Sequence, residues 1–185
     1  MVWRIDVKAM VVGVSGRISS GKSTVARHLA RALGWPCASF GAYVRHVAES
    51  RAVPTDRESL QALGQELVAT DPEAFCRDTF RWCGWCAGSP MVVEGIRHAH
   101  IVAWIKAIVA PLQFRLVFIH ASEDVLEARL EEKDIAGRAH LHQLEQHPTE
   151  IEVRAELPDL ADIIVDASKA VNELAREIAA KLDAD

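Results

Sequence analysis

Eight residues near the amino terminus constrain this chain more than any others. Gly16-Arg17-Ile18-Ser19-Ser20-Gly21-Lys22-Ser23 fits the pattern GxxxxGK[ST] and stands between a short apolar run and a segment of helical periodicity. That context, strand then glycine-rich loop then helix, gives the pattern its physical meaning. Glycine lets the backbone turn tightly, so successive N–H groups and the positive end of the following helix converge where phosphate oxygens are stabilised. The expectation is a nest for the polyphosphate of a nucleoside triphosphate, built from Gly16, Ile18, Ser19, Ser20, Gly21, Lys22, Ser23 and Thr24. In such a nest the Lys22 ammonium reaches the β and γ phosphates, and the Ser23 hydroxyl ligates magnesium.

The rest of the chain alternates short β-rich runs with long helical patterns, the order of an α/β fold with a mainly parallel sheet. Met10 to Val14, Pro36 to Phe40, Met91 to Glu94, Phe114 to His120 and Asp162 to Val165 read as five strands. Most are continuously apolar, as strands covered on both faces are. Helical periodicity falls at 22–33, 42–51, 56–69, 72–86, 97–109, 122–133 and 169–182, and more weakly at 149–157. The patterns between the second and third strands are too many for one simple crossover, so this stretch is expected to project over one end of the sheet.

Bulk properties narrow the function classes. A chain of 185 residues, 50% hydrophobic, can build one sizeable core without staples. A formal charge of -5 offers no overall basic footprint for nucleic acid. No apolar run approaches the roughly 20 residues of a membrane-spanning helix, and the opening residues read as no targeting segment. With Cys37, Cys76, Cys83 and Cys86 as free thiols, a cytoplasmic setting fits.

Neither an NKxD-like guanine motif nor a DxxG switch accompanies the loop, which argues against a GTPase and favours ATP. Motor ATPases run longer and carry an hhhhDE strand end. Kinases of small metabolites need only a phosphate loop, an acceptor region with arginines and a mobile lid, because phosphoryl transfer is mainly positioning and charge stabilisation. Over roughly residues 10–182 the sequence resembles the nucleoside monophosphate kinase superfamily, in its short-lid adenylate kinase-like, deoxynucleotide kinase-like and dephospho-CoA kinase-like branch. The resemblance implies a three-layer P-loop fold, a five-stranded parallel sheet with helices on both faces. It divides a single domain into a core (1–40, 90–133, 158–185), an acceptor-binding helical part (41–89) and a short lid (134–148).

Residue by residue, the resemblance implies the following. Ser39-Phe40-Gly41-Ala42-Tyr43-Val44-Arg45 leads from the second strand into a helix whose Arg45 holds the acceptor phosphate, with Phe40 and Gly41 beside it. Ala42 stands where many relatives carry an acid, so no base is assigned there. Glu94-Gly95-Ile96-Arg97 is similar to a DGIR-like element. Glu94 would hold magnesium through water, orient the acceptor or act as a base, Gly95 permits close approach and Arg97 faces the acceptor phosphate. A plain salt-bridged strand end is the structural alternative for Glu94. Arg129 matches the first lid arginine and Arg138 offers a second, against the alternative of a solvated loop charge. Ser168 and Lys169 fall on the loop around the adenine base. Thr55 to Glu58 is both a capping box and the start of a second acceptor helix.

Two further patterns carry less. Cys83 and Cys86 form a CxxC that ends a helix instead of opening one, unlike the redox motif. His98 and His100, like His140 and His142, are two residues apart, a spacing that diverges on a helix and brings both rings to one metal only where the segment is extended. The functions in play are therefore ATP- and magnesium-dependent transfer to a small phosphorylated acceptor, first a nucleoside or deoxynucleoside monophosphate. Dephospho-CoA or another small metabolite is the alternative acceptor, and a nucleotide-binding regulator or hydrolase the alternative class. A monomer or homodimer is expected.

Overall fold

A computed structural model describes residues 7–131 and 146–184, with Glu131 by its backbone alone. Its centre is a sheet of β1 (Val11–Gly16), β2 (Cys37–Ser39), β3 (Met91–Glu94), β4 (Phe114–His120) and β5 (Ile163–Asp166), in the order β2-β3-β1-β4-β5. Every pairing is parallel. Parallel neighbours require crossovers, and helices supply them: α1 (Lys22–Leu33), α2 (Phe40–Ser50), α3 (Arg57–Thr70), α4 (Pro72–Trp82), α5 (Ala99–Val109) and α6 (Glu123–Glu131). After the undescribed stretch come α7 (Pro148–Ala155), α8 (Leu157–Leu160) and α9 (Val171–Asp183). The fold is the expected three-layer α/β arrangement.

Side chains of β1 alternate between two cores, as the pleat demands. Val12 and Val14 join Leu29 of α1 and Ile178 of α9 on one face. Val11 turns to the other, with Val93, Ile101, Ile105 and Phe80. Both faces are dry, which accounts for the unbroken apolar runs of the strands.

Element ends differ from the sequence expectation where a local cap decides. Phe40 opens α2 instead of closing β2, because the Ser39 hydroxyl accepts from Ala42 N at 3.2 Å and caps the helix there. The α3 cap is Asp56, not Thr55: its carboxylate accepts from Ser59 N at 3.0 Å and from Ser59 Oγ at 2.6 Å. Arg57 is thereby the first residue of the helix. α4 stops at Trp82, four residues early, because Gly84 adopts φ +75° and turns the chain. Gly137, Arg138, His140 and His142 lie outside the described residues, as does most of the expected lid. Among the described residues no helix is long and apolar enough to cross a membrane.

Candidate active site

The carboxyl ends of β1, β2 and β3 meet at one crevice, the position where open α/β sheets place ligands. The register fixes who meets there. Glu94 ends β3 directly beside Ser39 of β2 and Val14 of β1. Gly95 then turns with φ +84°, and a Cβ at that residue would sit 3.4 Å from Gly41 N. A side chain here would press on the β2–α2 junction, so glycine is what lets Phe40 and Gly41 approach.

Between β1 and α1 the loop bends through two residues in the left-handed region, Ser19 at φ +58° and Gly21 at φ +86°. The φ of Gly21 favours glycine, and a Cβ there would lie 3.2 Å from Arg129 Nη1, close enough to crowd that guanidinium. Lys22 is 8% exposed and its Nζ donates to Arg17 O at 3.1 Å, folding the ammonium back along the loop. Burial, and next the neighbouring Arg97, lowers its pKa to about 8. Such a depressed ammonium is a site that gains from an anion, because a bound polyphosphate restores the charge that burial disfavours. Ser20, 1% exposed, has a hydroxyl with no hydrogen-bond partner among the described residues.

Glu94 receives two hydroxyls: Ser23 Oγ donates to Oε2 at 2.8 Å and Ser39 Oγ donates to Oε1. A hydroxyl and a carboxylate facing each other at the head of α1 are the hard oxygen donors that magnesium takes. The residue pair Ser23 and Glu94 therefore fits the ion.

Opposite the loop, Arg97 Nη1 donates to Glu150 Oε1, and Arg57 Nη2 lies 3.9 Å from the same oxygen. The Glu150 side chain is only 3% exposed. The charges of Arg97, Glu150, Glu94 and Arg57 all act on Lys22, so the five groups form one electrostatic cluster. Arg45 stands further out, its Nη1 donating to Thr55 O at 3.3 Å.

A cleft of about 1050 Å³ joins these parts. Ile18, Ser19, Lys22 and Ser23 line one side; Phe40, Gly41, Arg45, Glu94, Gly95 and Arg97 line the other. The candidates from the phosphate loop and from the acceptor side are thus brought together. Arg129, Ser168 and Lys169 do not line the cleft. Arg129 donates from Nη1 to Ser20 O and from Nη2 to Ala167 O, each at 2.7 Å, clamping the loop to the turn after β5. Lys169 pairs with Glu177 of α9 at 2.6 Å, and Ser168 N donates to Asp166 Oδ1 at 2.8 Å. Arg57 and Glu150 are the residues that sequence reasoning missed. Arg57 lay in the stretch read as a cap, and Glu150 in the weakest helical pattern.

The clamp gives an expected result. Arg129→Ala leaves two carbonyls without their charged donor, a loss of about 3 kcal/mol. A thermal melt should fall by roughly 8 °C for a chain of this size. Lysine at the same position reaches one carbonyl and should recover less than half of the shift.

Comparison with known proteins agrees with this geometry. A family model described as the AAA domain matches residues 12–140, beginning within β1. A cytidylate kinase of Natronomonas pharaonis is 30% identical over 164 residues, 82% of this chain and 79% of the relative. The chain belongs to the nucleoside monophosphate kinase-like superfamily of P-loop kinases. Solved structures carry the same fold across nearly the whole of this kinase. A gluconokinase from Sinorhizobium meliloti 1021, 22% identical, covers 96% of this chain and 93% of its own with a TM-score of 0.59. A shikimate kinase from Aquifex aeolicus VF5, 19% identical, covers 95% of this chain and 97% of its own with a TM-score of 0.59.

The CxxC of the kinase follows α4, with Cys83 as its C-cap and Cys86 exposed, and all four thiols are free. Burial raises the Cys83 thiol and pushes Cys76 up to about 12, so neither is poised as a thiolate.

Proposed function

We propose that this kinase moves the γ-phosphoryl group of ATP, with magnesium, to a small phosphorylated acceptor, first a nucleoside or deoxynucleoside monophosphate. The observation that carries the reading is the pair Arg57 and Arg97. Both guanidiniums converge on one buried carboxylate oxygen across the cleft from Lys22. Two arginines on one oxyanion are the arrangement that recognises a phosphate monoester. Arg45 extends the same wall toward the mouth.

In this reading Lys22 stabilises the charge of the transferring group, and Arg57 and Arg97 hold the acceptor's phosphate. Ser23 and Glu94 would hold magnesium, which would supply neutralisation of the nucleotide's phosphate charge. Glu94 keeps Ser23 oriented in the meantime. Arg129 fixes the loop's shape by holding Ser20 O, and so positions the nest instead of touching the γ phosphate. Ser168 and Lys169 border the turn that Arg129 ties to the loop. Arg138 is retained as a lid candidate.

ADP release measured with Mg·ATP against a panel of acceptors tests the proposal. The cytidylate kinase of Natronomonas pharaonis makes CMP and dCMP the first to try. Release that rises at least tenfold with one monophosphate is the expected result. A rise only with a non-nucleotide acceptor moves the function to another small-metabolite kinase, and hydrolysis indifferent to every acceptor refutes the transfer reading.

A further inference from the structure

At the edge of the cleft, which His98 also lines, the turn from β3 into α5 faces α7. His98 caps α5 in an extended conformation, φ −122° and ψ 129°, so the divergence expected of helical spacing does not occur. The rings of His98 and His100 lie with centroids 5.6 Å apart. Both turn Nδ1 toward one carboxylate: His98 is 2.8 Å from Glu152 Oε2 and His100 is 4.0 Å from Oε1. Ala99 N–H donates to Oε1 at 2.6 Å and so sets the orientation of the carboxylate.

One donor atom from each of the three residues lies within 4.8 Å of the others. A tetrahedral zinc ion holds such donors at about 2.0–2.2 Å, hence roughly 3.4 Å from one another. The observed spacings bracket that value, and closing the set requires the exposed His100 ring to turn inward and the 2.8 Å contact of His98 with Glu152 to open slightly. A cavity of about 230 Å³ beside the three, bordered also by Gln65 and Thr149, leaves room for water as a fourth ligand.

We propose that His98, His100 and Glu152 form a site for a divalent ion of the zinc class. Two imidazoles and one carboxylate suit zinc or cobalt and not magnesium, whose preference is for oxygen alone. The site is therefore chemically distinct from the pair Ser23 and Glu94. Its position gives it a consequence. His98 follows Arg97 directly, and Glu152 shares α7 with Glu150, so a bound ion staples together the two elements that carry the Arg97–Glu150 pair.

The test is titration of chelator-stripped, full-length protein with Co²⁺ in the absence of nucleotide and magnesium. A single ion per chain is expected, with the visible bands of tetrahedral cobalt, bleached by Zn²⁺, and with a higher melting temperature in the presence of either ion. His100→Ala changes a half-exposed ring, and Glu152→Gln keeps an acceptor for Ala99 N–H, so both should fold. Each should weaken binding at least tenfold, the scale on which a metal site loses affinity when its donor set is disturbed. His140→Ala/His142→Ala and Cys83→Ser/Cys86→Ser should leave it unchanged. No binding to the wild type at tens of micromolar metal overturns the proposal, as does binding that survives His100→Ala and Glu152→Gln or is lost in either control variant.

Discussion

Lys22→Ala is expected to lower turnover about 1,000-fold while the apo protein melts no lower than the wild type. The first half follows from where charge develops. Removing one preorganised donor from a transferring oxyanion in a water-poor site costs about 3–4 kcal/mol, realised in the transition state and so mainly in turnover. The second half follows from the depressed pKa. Lys22 is buried, and burial lowers its ammonium pKa to about 8 in the folded chain from the ordinary 10.5. Below pH 8 both states carry the charge, and the folded state bears the desolvation cost. Between about 8 and 10.5 the unfolded chain holds more protons, so stability rises with pH across that window and the cost is relieved. Deleting the ammonium therefore removes a penalty at neutral pH, which offsets the small void left by the side chain. Steady-state ADP release and melts from pH 7 to 10.5 check both halves. Loss of turnover accompanied by a lower melting temperature at pH 7 would refute the separation of binding from folding.

That separation was readable in the sequence only in part. The loop and strand ends follow from short-range rules: glycines where φ is positive, apolar runs where both faces are covered, an acid at the end of β3. Lys22 and Glu94 follow from those rules, whereas Arg97 rests on the resemblance of Glu94-Gly95-Ile96-Arg97 to a kinase element. Arg57 reads locally as the first residue after a helix cap, and only the direction of α3's first turn carries it to the cleft. Glu150 is separated from Arg97 by 53 residues and has no local signature at all. Arg129 enters through its match to the first lid arginine, but its partners are carbonyls 109 and 38 residues away, and backbone acceptors leave no mark in side-chain patterns. The histidines show the reverse case. Two-residue spacing diverges on a helix, and the extended backbone of the cap residue His98 is the condition under which the two rings can converge.

Arg97→Ala is expected to raise the acceptor KM about 100-fold and to destabilise the fold by about 3 kcal/mol, for two separable reasons. The first is recognition: a charge-assisted contact to a phosphate contributes about 2–3 kcal/mol, which is the stated change in affinity. The second is the carboxylate left behind. The Glu150 side chain is 3% exposed and loses its bonded partner, keeping Arg57 at 3.9 Å and the more distant charge of Lys22. Breaking a buried pair from one side costs several kcal/mol because the remaining charge has no water to turn to. Glu150→Gln in the same chain removes that charge while preserving shape. The double variant should therefore recover most of the lost stability and none of the lost acceptor affinity, with the KM for ATP within about twofold throughout. Melts and initial rates on the two single variants and the double variant complete the cycle. If stability and acceptor KM return together, Arg97 serves only to neutralise Glu150, and the acceptor's phosphate binds elsewhere.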